Sequence, residues 1–334
     1  MSEGPTMTNA ADESGSRSAH FAQANEAVAL GRLDPFETAV VEAVAYADVF
    51  DWPLTAAEVH RFLPVPGRLG EVESALASPH LHRFLSASDG LISLAGREGL
   101  VLGRYRRAAI SARMWPRAVR YARVVASLPF VRLVAVTGSL AVGAADAGAD
   151  VDLFVVTEDH RLWLTRALTI GVVRGAGRQG VRLCPNYFLT ESALELTAHD
   201  LFTAHELLQM VPIAGGDAYR GLLARNDWCR QFLPNHPGHA APPDQTGAGQ
   251  SRGLGTGLVN GFGRRFAESA LRRGAFDPLE RWEMRRKIER LSAGARSEEL
   301  RFDESACKGH VDEHRRWTLA QFQERLTRIN EAAA

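Results

Sequence analysis

A glycine-serine pair and two aspartates are the residues whose types and spacing best suit chemistry. An apolar stretch ends in Gly138-Ser139, and after ten intervening residues Asp150-Val151-Asp152 opens a second apolar stretch. A strand that ends at Gly-Ser and continues into small residues offers backbone N–H groups and a hydroxyl, which suit a phosphate. Asp150 and Asp152 are two apart on a strand, so both carboxylates project from one face and can share divalent cations. The pattern indicates a nucleotide site with metal ions.

The combined pattern is more specific than either half, because a lone Gly-Ser turn or a lone Asp-x-Asp is usually structural. Strand, Gly-Ser, spacer and Asp-x-Asp together resemble the nucleotidyltransferase superfamily of the DNA polymerase β type. The resemblance covers residues 104–234, and its specific part is 137–156. The wider chain, including Leu233-Pro-Asn-His, looks like a bacterial group of nucleotidyltransferase-domain proteins.

The resemblance implies a reaction and a set of residues for it. Gly138 and Ser139 would hold the β- and γ-phosphates of an NTP, and Asp150 and Asp152 would ligate Mg²⁺ or Mn²⁺. Two metal ions held in this way stabilise in-line attack on the α-phosphate and the departure of pyrophosphate. The expected reaction is transfer of a nucleoside monophosphate to a small-molecule, protein or nucleic-acid acceptor that the sequence does not identify.

The third carboxylate of this superfamily, on the next strand, has no obvious counterpart. Asn186 is the residue best placed to face the same side, and it can offer a neutral oxygen to a metal but cannot be a general base. Glu191, at the far end of that strand, and Glu206, on a following helix, are the alternatives. The sequence leaves open which of the three residues completes the site.

A triphosphate also needs basic partners. Arg166, on the helix after Asp152, is one candidate, although a helix-surface arginine is usually only solvated. Lys308 is another, because it is one of the two lysines in the chain, lies in a short stretch predicted between helices, and would act as a compact point charge. The alternative is that Lys308 is an exposed loop residue with no role in binding.

Other charged or metal-ligating groups give weaker signals. The run 252–290 holds ten basic and five acidic residues and could contact a polyanionic acceptor, but such runs are mostly solvated helix faces. His80 and His82, like His236 and His239, lack a third ligand at zinc spacing, so we expect them to be surface or packing residues.

The elements that must position the motif form a small α/β domain. Apolar periodicity predicts three strands and four helices. The strands are Val131 to Thr137, Val151 to Thr157 and Val181 to Leu189, and the helices are Leu102 to Leu128, Leu162 to Val173, Leu194 to Met210 and Asp217 to Phe232.

An N-terminal module precedes this domain. Asp34-Pro35 is an N-cap followed by proline at the first helical position, Thr55 with Glu58 makes a capping box, and Gly67 to Ala77 supports a third helix. Ser88-Asp89-Gly90 then marks a β-hairpin. Three short helices followed by a hairpin indicate a winged-helix-like module.

The expected fold class is α/β (α+β): a small mixed-sheet nucleotidyltransferase core with a winged-helix-like module before it and a helical C-terminal segment after it. The predicted organisation is a disordered tail over 1–33, the winged-helix-like domain over 34–100, the nucleotidyltransferase domain over 101–233, a flexible linker over 234–257 and the helical segment over 258–334.

Composition limits the classes of protein to which this chain can belong. The 334 residues are 46% hydrophobic, and 39 basic against 39 acidic residues argue against a wholesale polyanion binder. The N-terminus lacks the basic and apolar regions of a signal peptide, and no apolar run is long enough to span a bilayer. Three distant cysteines form no disulfide framework, so the expectation is a cytoplasmic protein that does not bind membranes.

Three functions remain in competition. The leading one is a magnesium-dependent nucleotidyltransferase. A catalytically silent, nucleotide-binding regulator is the second, because the third carboxylate is not identified. A winged-helix DNA-binding protein is the third, although its recognition helix would pair Arg68 with Glu71 and Glu73, a poor match to phosphates.

Overall fold

A computed structural model describes residues 33–238, 268–269, 276–292, 302–308 and 311–333. The predicted disordered tail over 1–33 falls outside the described residues apart from Leu33. The predicted linker over 234–257 also falls outside them, apart from 234–238.

The N-terminal module has the elements that its capping signals predict. They are helix α1 (Pro35–Asp48), helix α2 (Ala56–Phe62), helix α3 (Leu69–Leu76), a 3-10 turn (Leu81–Arg83) and strands β1 (Leu85–Ser88) and β2 (Leu91–Leu94). Asp34 caps α1 in a capping box with Glu37, and Thr55 caps α2 in a second one with Glu58. The two strands pair antiparallel. That this unit is a winged helix stays a prediction.

The second part of the chain is a mixed α/β unit, as predicted. Its first half comprises helix α4 (Leu100–Ala126), strand β3 (Val131–Thr137), the short helix α5 (Gly138–Ala141), strand β4 (Val151–Thr157), helix α6 (Leu162–Gly177) and strand β5 (Leu183–Thr190). Its second half comprises helix α7 (Leu201–Gln209), strand β6 (Val211–Ala214), helix α8 (Gly216–Arg225), helix α9 (Asp277–Ser292), strand β7 (Ala306–Lys308) and helix α10 (Val311–Ala333).

The sheet has five strands in the order β6-β3-β4-β5-β7. Strands β4 and β5 run parallel and are connected through α6, whereas the other neighbouring pairs run antiparallel. Thr137, at the end of β3, pairs with Asp152 near the start of β4. The fold therefore places the Gly138-Ser139 turn and Asp152 side by side, at the same end of the neighbouring strands β3 and β4.

The two faces of the sheet bury different clusters. Leu153 and Val155 pack on one face with α4 and α6, whereas Phe154 and Val156 pack on the other face with α7 and α8. Because side chains alternate along a strand, Asp152 lies on the face of Phe154. The face covered by α7 and α8 is therefore the face of the candidate site.

The structure corrects several predicted bounds. Helix α7 begins at Leu201 rather than at Leu194, because Asp200 caps it by accepting from the backbone N–H of Thr203 at 2.8 Å. The helix predicted over 217–232 ends at Arg225. Asn226 then turns its side-chain amide to the carbonyl oxygens of Leu194 and Leu222.

Two short edge strands were not predicted. Strand β6 pairs with β3, and strand β7 pairs with β5. Lys308 lies between helices α9 and α10, as predicted, and the short stretch that holds it is an edge strand. Elements of three or four residues are too short to show apolar alternation, so tertiary pairing decides them.

The C-terminal helices pack against different parts of the molecule, α9 against α6 and α10 against α1. Glu280 of α9 accepts hydrogen bonds from the backbone N–H groups of Trp163 and Leu164 at 2.7 and 2.6 Å, which caps α6. Phe322 and Leu326 of α10 pack against α1. Within the described residues, no helix is long and apolar enough to cross a membrane.

Candidate functional site

Gly138 sits directly against Asp152. Its φ angle is +65°, and a Cβ atom at this position would lie 2.5 Å from Oδ2 of Asp152. Only glycine combines this left-handed backbone conformation with such a close approach. Ser139 follows on the exposed first turn of α5, where backbone N–H groups have no acceptor within the helix. The turn and the aspartate therefore form one constellation.

Asp152 is partly buried at the start of β4. The side-chain amide of Asn186 donates to its Oδ1 at 3.3 Å, and the thiol of Cys184 is a further hydrogen-bond partner. Burial, with a smaller contribution from the charge of Asp150, raises the pKa of Asp152 to about 6. Asn186 thus lies beside Asp152, on the side that the sequence indicated.

Asp150 is close enough to influence Asp152 but has a partner of its own. It precedes the first residue of β4 and accepts from Nε of Arg182 at 2.5 Å, in a pair whose side chains are 41% and 67% exposed. An ion pair this exposed contributes little to stability and is readily exchanged. Asp150 is therefore at the rim of the constellation rather than inside it.

Glu206 brings a further carboxylate to this place. Its pKa is raised to about 7, chiefly by burial and also by the charge of Asp152, while the charge of Lys308 acts in the opposite direction. Glu191, by contrast, lies after the opposite end of β5, with its carboxylate 3.5 Å from Nε of Arg132. Of the two alternative carboxylates, Glu206 is the one near Asp152.

A cavity of about 1080 Å³ is lined by Gly138, Asp152 and Glu206 but not by Asp150. Its walls come from the N-terminal module, the start of α4, the Gly138 turn, α7 and α10. The lining includes the polar residues Glu58, Arg61, Arg104, Arg107, Gly138, Ser139, Asp152, Cys184, Asn186 and Glu206 and the aromatic residues Tyr46, Phe50, Trp52, Phe62, Phe202, His205, His236, His314 and Trp317. A space of this size is ample for a nucleotide.

Lys308 lies near Glu206 but outside the lining of the larger cavity. It lines a smaller cavity of about 90 Å³ together with Glu206, Asn186 and Arg315, and its ammonium is 5.7 Å from the ring centre of Tyr187. The structure thus places Lys308 next to the candidate carboxylate instead of in the space that would receive the triphosphate.

Arg166 lies on the opposite face of the sheet. Its guanidinium is 5.9 Å from the ring centre of Trp163 and hydrogen-bonds the side chain of Cys307, which packs with that face. Neither cavity described above includes it. The fold does not bring Arg166 to the constellation around Asp152.

The remaining sequence signals do not form a metal site in the described part of the chain. No group of three or more His, Cys, Asp or Glu residues there has a metal-binding arrangement. His80 is 3.8 Å from Glu37, and His236 is buried beside Phe62. His239 and much of the basic run 252–290 fall outside the described residues.

Several residues that form the cavity walls could not be predicted from the sequence. Trp52 and Arg61 in the N-terminal module, and Arg104 at the start of α4, lie far from the motif along the chain. No spacing connects them with Asp152, because only tertiary packing brings them together. Cys184 was equally inconspicuous, being one cysteine on a predicted strand.

Residues 121–200 match the family model of the nucleotidyltransferase domain. The matched segment contains Gly138, Asp152 and Asn186 and ends before Glu206, and it agrees with the resemblance to the nucleotidyltransferase superfamily. Comparison with curated proteins and with solved structures gives no match.

Proposed function

We propose that this protein transfers a nucleoside monophosphate from an NTP to an acceptor hydroxyl or phosphate, with release of pyrophosphate. The domain over 121–200 supports a general nucleotidyl-transfer function. The observation that carries the finer proposal is the convergence of Gly138, Asp152 and Glu206 on one cavity. A phosphate-binding turn, a carboxylate for metal and a carboxylate for the proton then share one space.

Gly138 and Ser139 would hold the outer phosphates of the NTP. The glycine allows the backbone to pass close to Asp152, and the serine hydroxyl is exposed to the cavity. Backbone N–H groups in the first turn of a helix suit phosphate oxygens.

The carboxylate chemistry around Asp152 would suit a divalent cation, although the described carboxylates are not already gathered in a metal-binding arrangement. Asp150 raises the pKa of Asp152, and Asp152 raises that of Glu206, so negative charge is crowded there. A cation relieves such crowding. Asp150 and Asp152 would ligate Mg²⁺ or Mn²⁺, and Asn186 could add its amide oxygen after its side chain turns. When bound, the metal would stabilise negative charge on the reacting phosphates.

Glu206 is our candidate for the general base. A pKa of about 7 leaves it partly ionised at neutral pH, which suits proton transfer, whereas the amide of Asn186 cannot take a proton. Glu206 would accept the proton of the acceptor hydroxyl while the acceptor oxygen bonds to the α-phosphorus. The bond from that phosphorus to the bridging oxygen would break, and pyrophosphate would leave with the electron pair.

A silent nucleotide-binding regulator is the second candidate. The observation that favours it is the ion pair between Asp150 and Arg182, which a metal would have to displace. Turnover separates the two candidates, because both would bind an NTP.

Calorimetric titration with each of the four NTPs, with and without Mg²⁺, tests the proposal before the acceptor is known. We expect Mg²⁺-dependent binding of at least one NTP, and loss of that dependence in Asp152→Asn. Pyrophosphate release in fractionated cell extract should fall by roughly 100-fold or more in this variant, because a metal ligand is lost.

Asp89→Asn is the matched control, since Asp89 is an exposed turn residue of the hairpin and asparagine tolerates its positive φ. Unchanged Mg²⁺-dependent binding and release in a folded Asp152→Asn variant would remove Asp152 from the site. NTP binding without any pyrophosphate release would favour the silent regulator.

A further inference from the structure

Two arginines from outside the matched domain segment reach the cavity. Arg61 belongs to α2 in the N-terminal module, and Arg104 belongs to the second turn of α4. Both line the cavity that contains Asp152 and Glu206. The candidate active site is therefore built jointly by the nucleotidyltransferase core and the N-terminal module.

The side chain of Arg104 is fixed in place before any ligand binds. Its Nη2 donates to both carboxylate oxygens of Glu58 at 2.9 and 3.0 Å, and the guanidinium lies 3.8 Å from the ring centre of Trp52. Stacking engages the face of the guanidinium and leaves its in-plane N–H groups for hydrogen bonds. The group is therefore held rigidly with donors in a defined plane.

One nitrogen of Arg104 has no acceptor. Nη1 is buried and makes no hydrogen bond within the described residues. Buried donors without partners are rare in folded proteins, because they lose their hydrogen bonds to water, and they call for an explanation. Arg104 lines the cavity, but its Nη1 is covered, so a ligand oxygen would reach Nη1 after the side chains that cover it move.

Arg61 supplies a second set of donors. It lies one helical turn after Glu58, is partly buried, and has no hydrogen bond or ion pair to any described residue. Arg107, the third arginine in the lining, instead donates to the backbone carbonyls of Phe50 and Asp51. Arg61 and Arg104 are thus the lining arginines that have N–H groups without an acceptor among the described residues.

We propose that Arg61 and Arg104 form an anion subsite that binds a phosphate group of the ligand. The proposal rests on the proposed function for the presence of a phosphate in this cavity. It moves the cationic role expected of Arg166 and Lys308 to the N-terminal module and the start of α4. The phosphate belongs either to the triphosphate of the NTP or to the acceptor.

The test uses tripolyphosphate and the NTPs as calorimetric probes. Arg61→Gln and Arg104→Gln should each weaken tripolyphosphate binding by tenfold or more. Arg113→Gln is the matched control, because Arg113 is exposed on α4 and does not line the cavity. If Arg104→Gln fails to fold after losing its bonds to Glu58, Arg61→Gln still decides, since that side chain has no bond to lose.

A second arm identifies the source of the phosphate. If the triphosphate is the ligand, NTP affinity falls in parallel with tripolyphosphate affinity. If an acceptor phosphate is the ligand, inorganic phosphate still binds to protein saturated with NTP and Mg²⁺. The two variants then weaken binding of inorganic phosphate and of tripolyphosphate and leave NTP affinity unchanged.

Each failure has a separate signature. Unchanged affinity of folded Arg61→Gln and Arg104→Gln for all three probes would overturn the subsite and leave the proposed function standing. Tripolyphosphate binding that needs both arginines, in a protein that binds no NTP with Mg²⁺, would keep the subsite and reject the proposed function.

Discussion

A methyl group at position 138 would collide with Oδ2 of Asp152, 2.5 Å away, and would also force an L side chain into a left-handed backbone conformation. We expect Gly138→Ala to lower the free energy of unfolding by about 1–3 kcal/mol. Asp152 must move to make room, so Mg²⁺-dependent NTP binding should weaken. Urea unfolding and calorimetry measure the two effects.

The Gly96→Ala variant separates the effect of backbone strain at a positive φ from the effect of the collision with Asp152. Gly96 has a φ of +79°, but a Cβ there meets no atom within 4 Å. This control should lose stability in the same range and keep its NTP binding. Equal loss of binding in both variants would mean that Gly138 acts only through stability.

The pH dependence of stability should report on Glu206. Its pKa rises from 4.5 to about 7 on folding, chiefly because burial disfavours the charged form. The folded state then holds a proton that the unfolded state releases, so this contribution to stability is complete below about pH 4.5 and is lost as the pH rises through about 7. Without metal or nucleotide, unfolding free energy should decrease across that interval.

Glu206→Gln removes one titrating group and should reduce this decrease, most clearly between about pH 6 and 7, because Asp152, whose pKa is raised to about 6, contributes below that range. Glu289→Gln is the control, because Glu289 is exposed on α9. A decrease of the same size in Glu206→Gln and in the unmodified protein would show that other groups cause it.

Local sequence spacing predicted that Gly138 and Asp152 share one site, and the structure brings them into contact. Asn186, one of three candidates for the third position, lies beside Asp152. Cys184 through Asn186 nevertheless carry a register shift against β4, which no alternation pattern reveals. Arg61 and Arg104 could not be predicted, because nothing along the chain relates them to Asp152.

At the scale of elements, α6 depends on a cap from far along the chain. Both carboxylate oxygens of Glu280 accept backbone N–H groups at its N-terminus, from Trp163 and Leu164. Glu280→Ala leaves those buried donors unpaired, and we expect a loss of about 1–3 kcal/mol in unfolding free energy. Thermal or urea unfolding measures it, with Glu289→Ala on the same helix as control. A loss below about 0.5 kcal/mol would show that water replaces the cap.

The elements that sequence predicted well are those with their own local signals. Asp34 and Thr55 start helices by capping boxes, and seven-residue apolar runs define β3 and β4. The edge strands β6 and β7 have no such signal and exist through pairing with longer neighbours. Helix α7 was predicted too long because Asp200 outweighs the apolar pattern before it.

At the scale of the whole molecule, one buried carboxylate links distant segments. Asp48 ends α1 and accepts from Nε of Arg97 at 3.0 Å and from Nε of Arg325 at 2.8 Å. Its side chain is only 6% exposed, so we expect Asp48→Asn to lower unfolding free energy by about 2 kcal/mol. The amide protons of α10 should exchange faster with deuterium.

Glu324→Gln provides the comparison within the same helix. Glu324 pairs with Arg328 on the exposed side of α10, where an ion pair contributes well under about 1 kcal/mol. If both variants leave exchange in α10 unchanged, the apolar contacts of Phe322 and Leu326 hold the helix without Asp48.

The walls of the cavity also become available at different times during synthesis. Glu206 belongs to the core, whereas Trp317 belongs to a helix that leaves the ribosome roughly a hundred residues later. At roughly 5 to 20 residues per second, that wall follows the core by roughly 5 to 20 s. The side of the cavity formed by Glu206 is therefore synthesised well before the wall that contains Trp317, and the cavity is complete only after translation has passed Trp317.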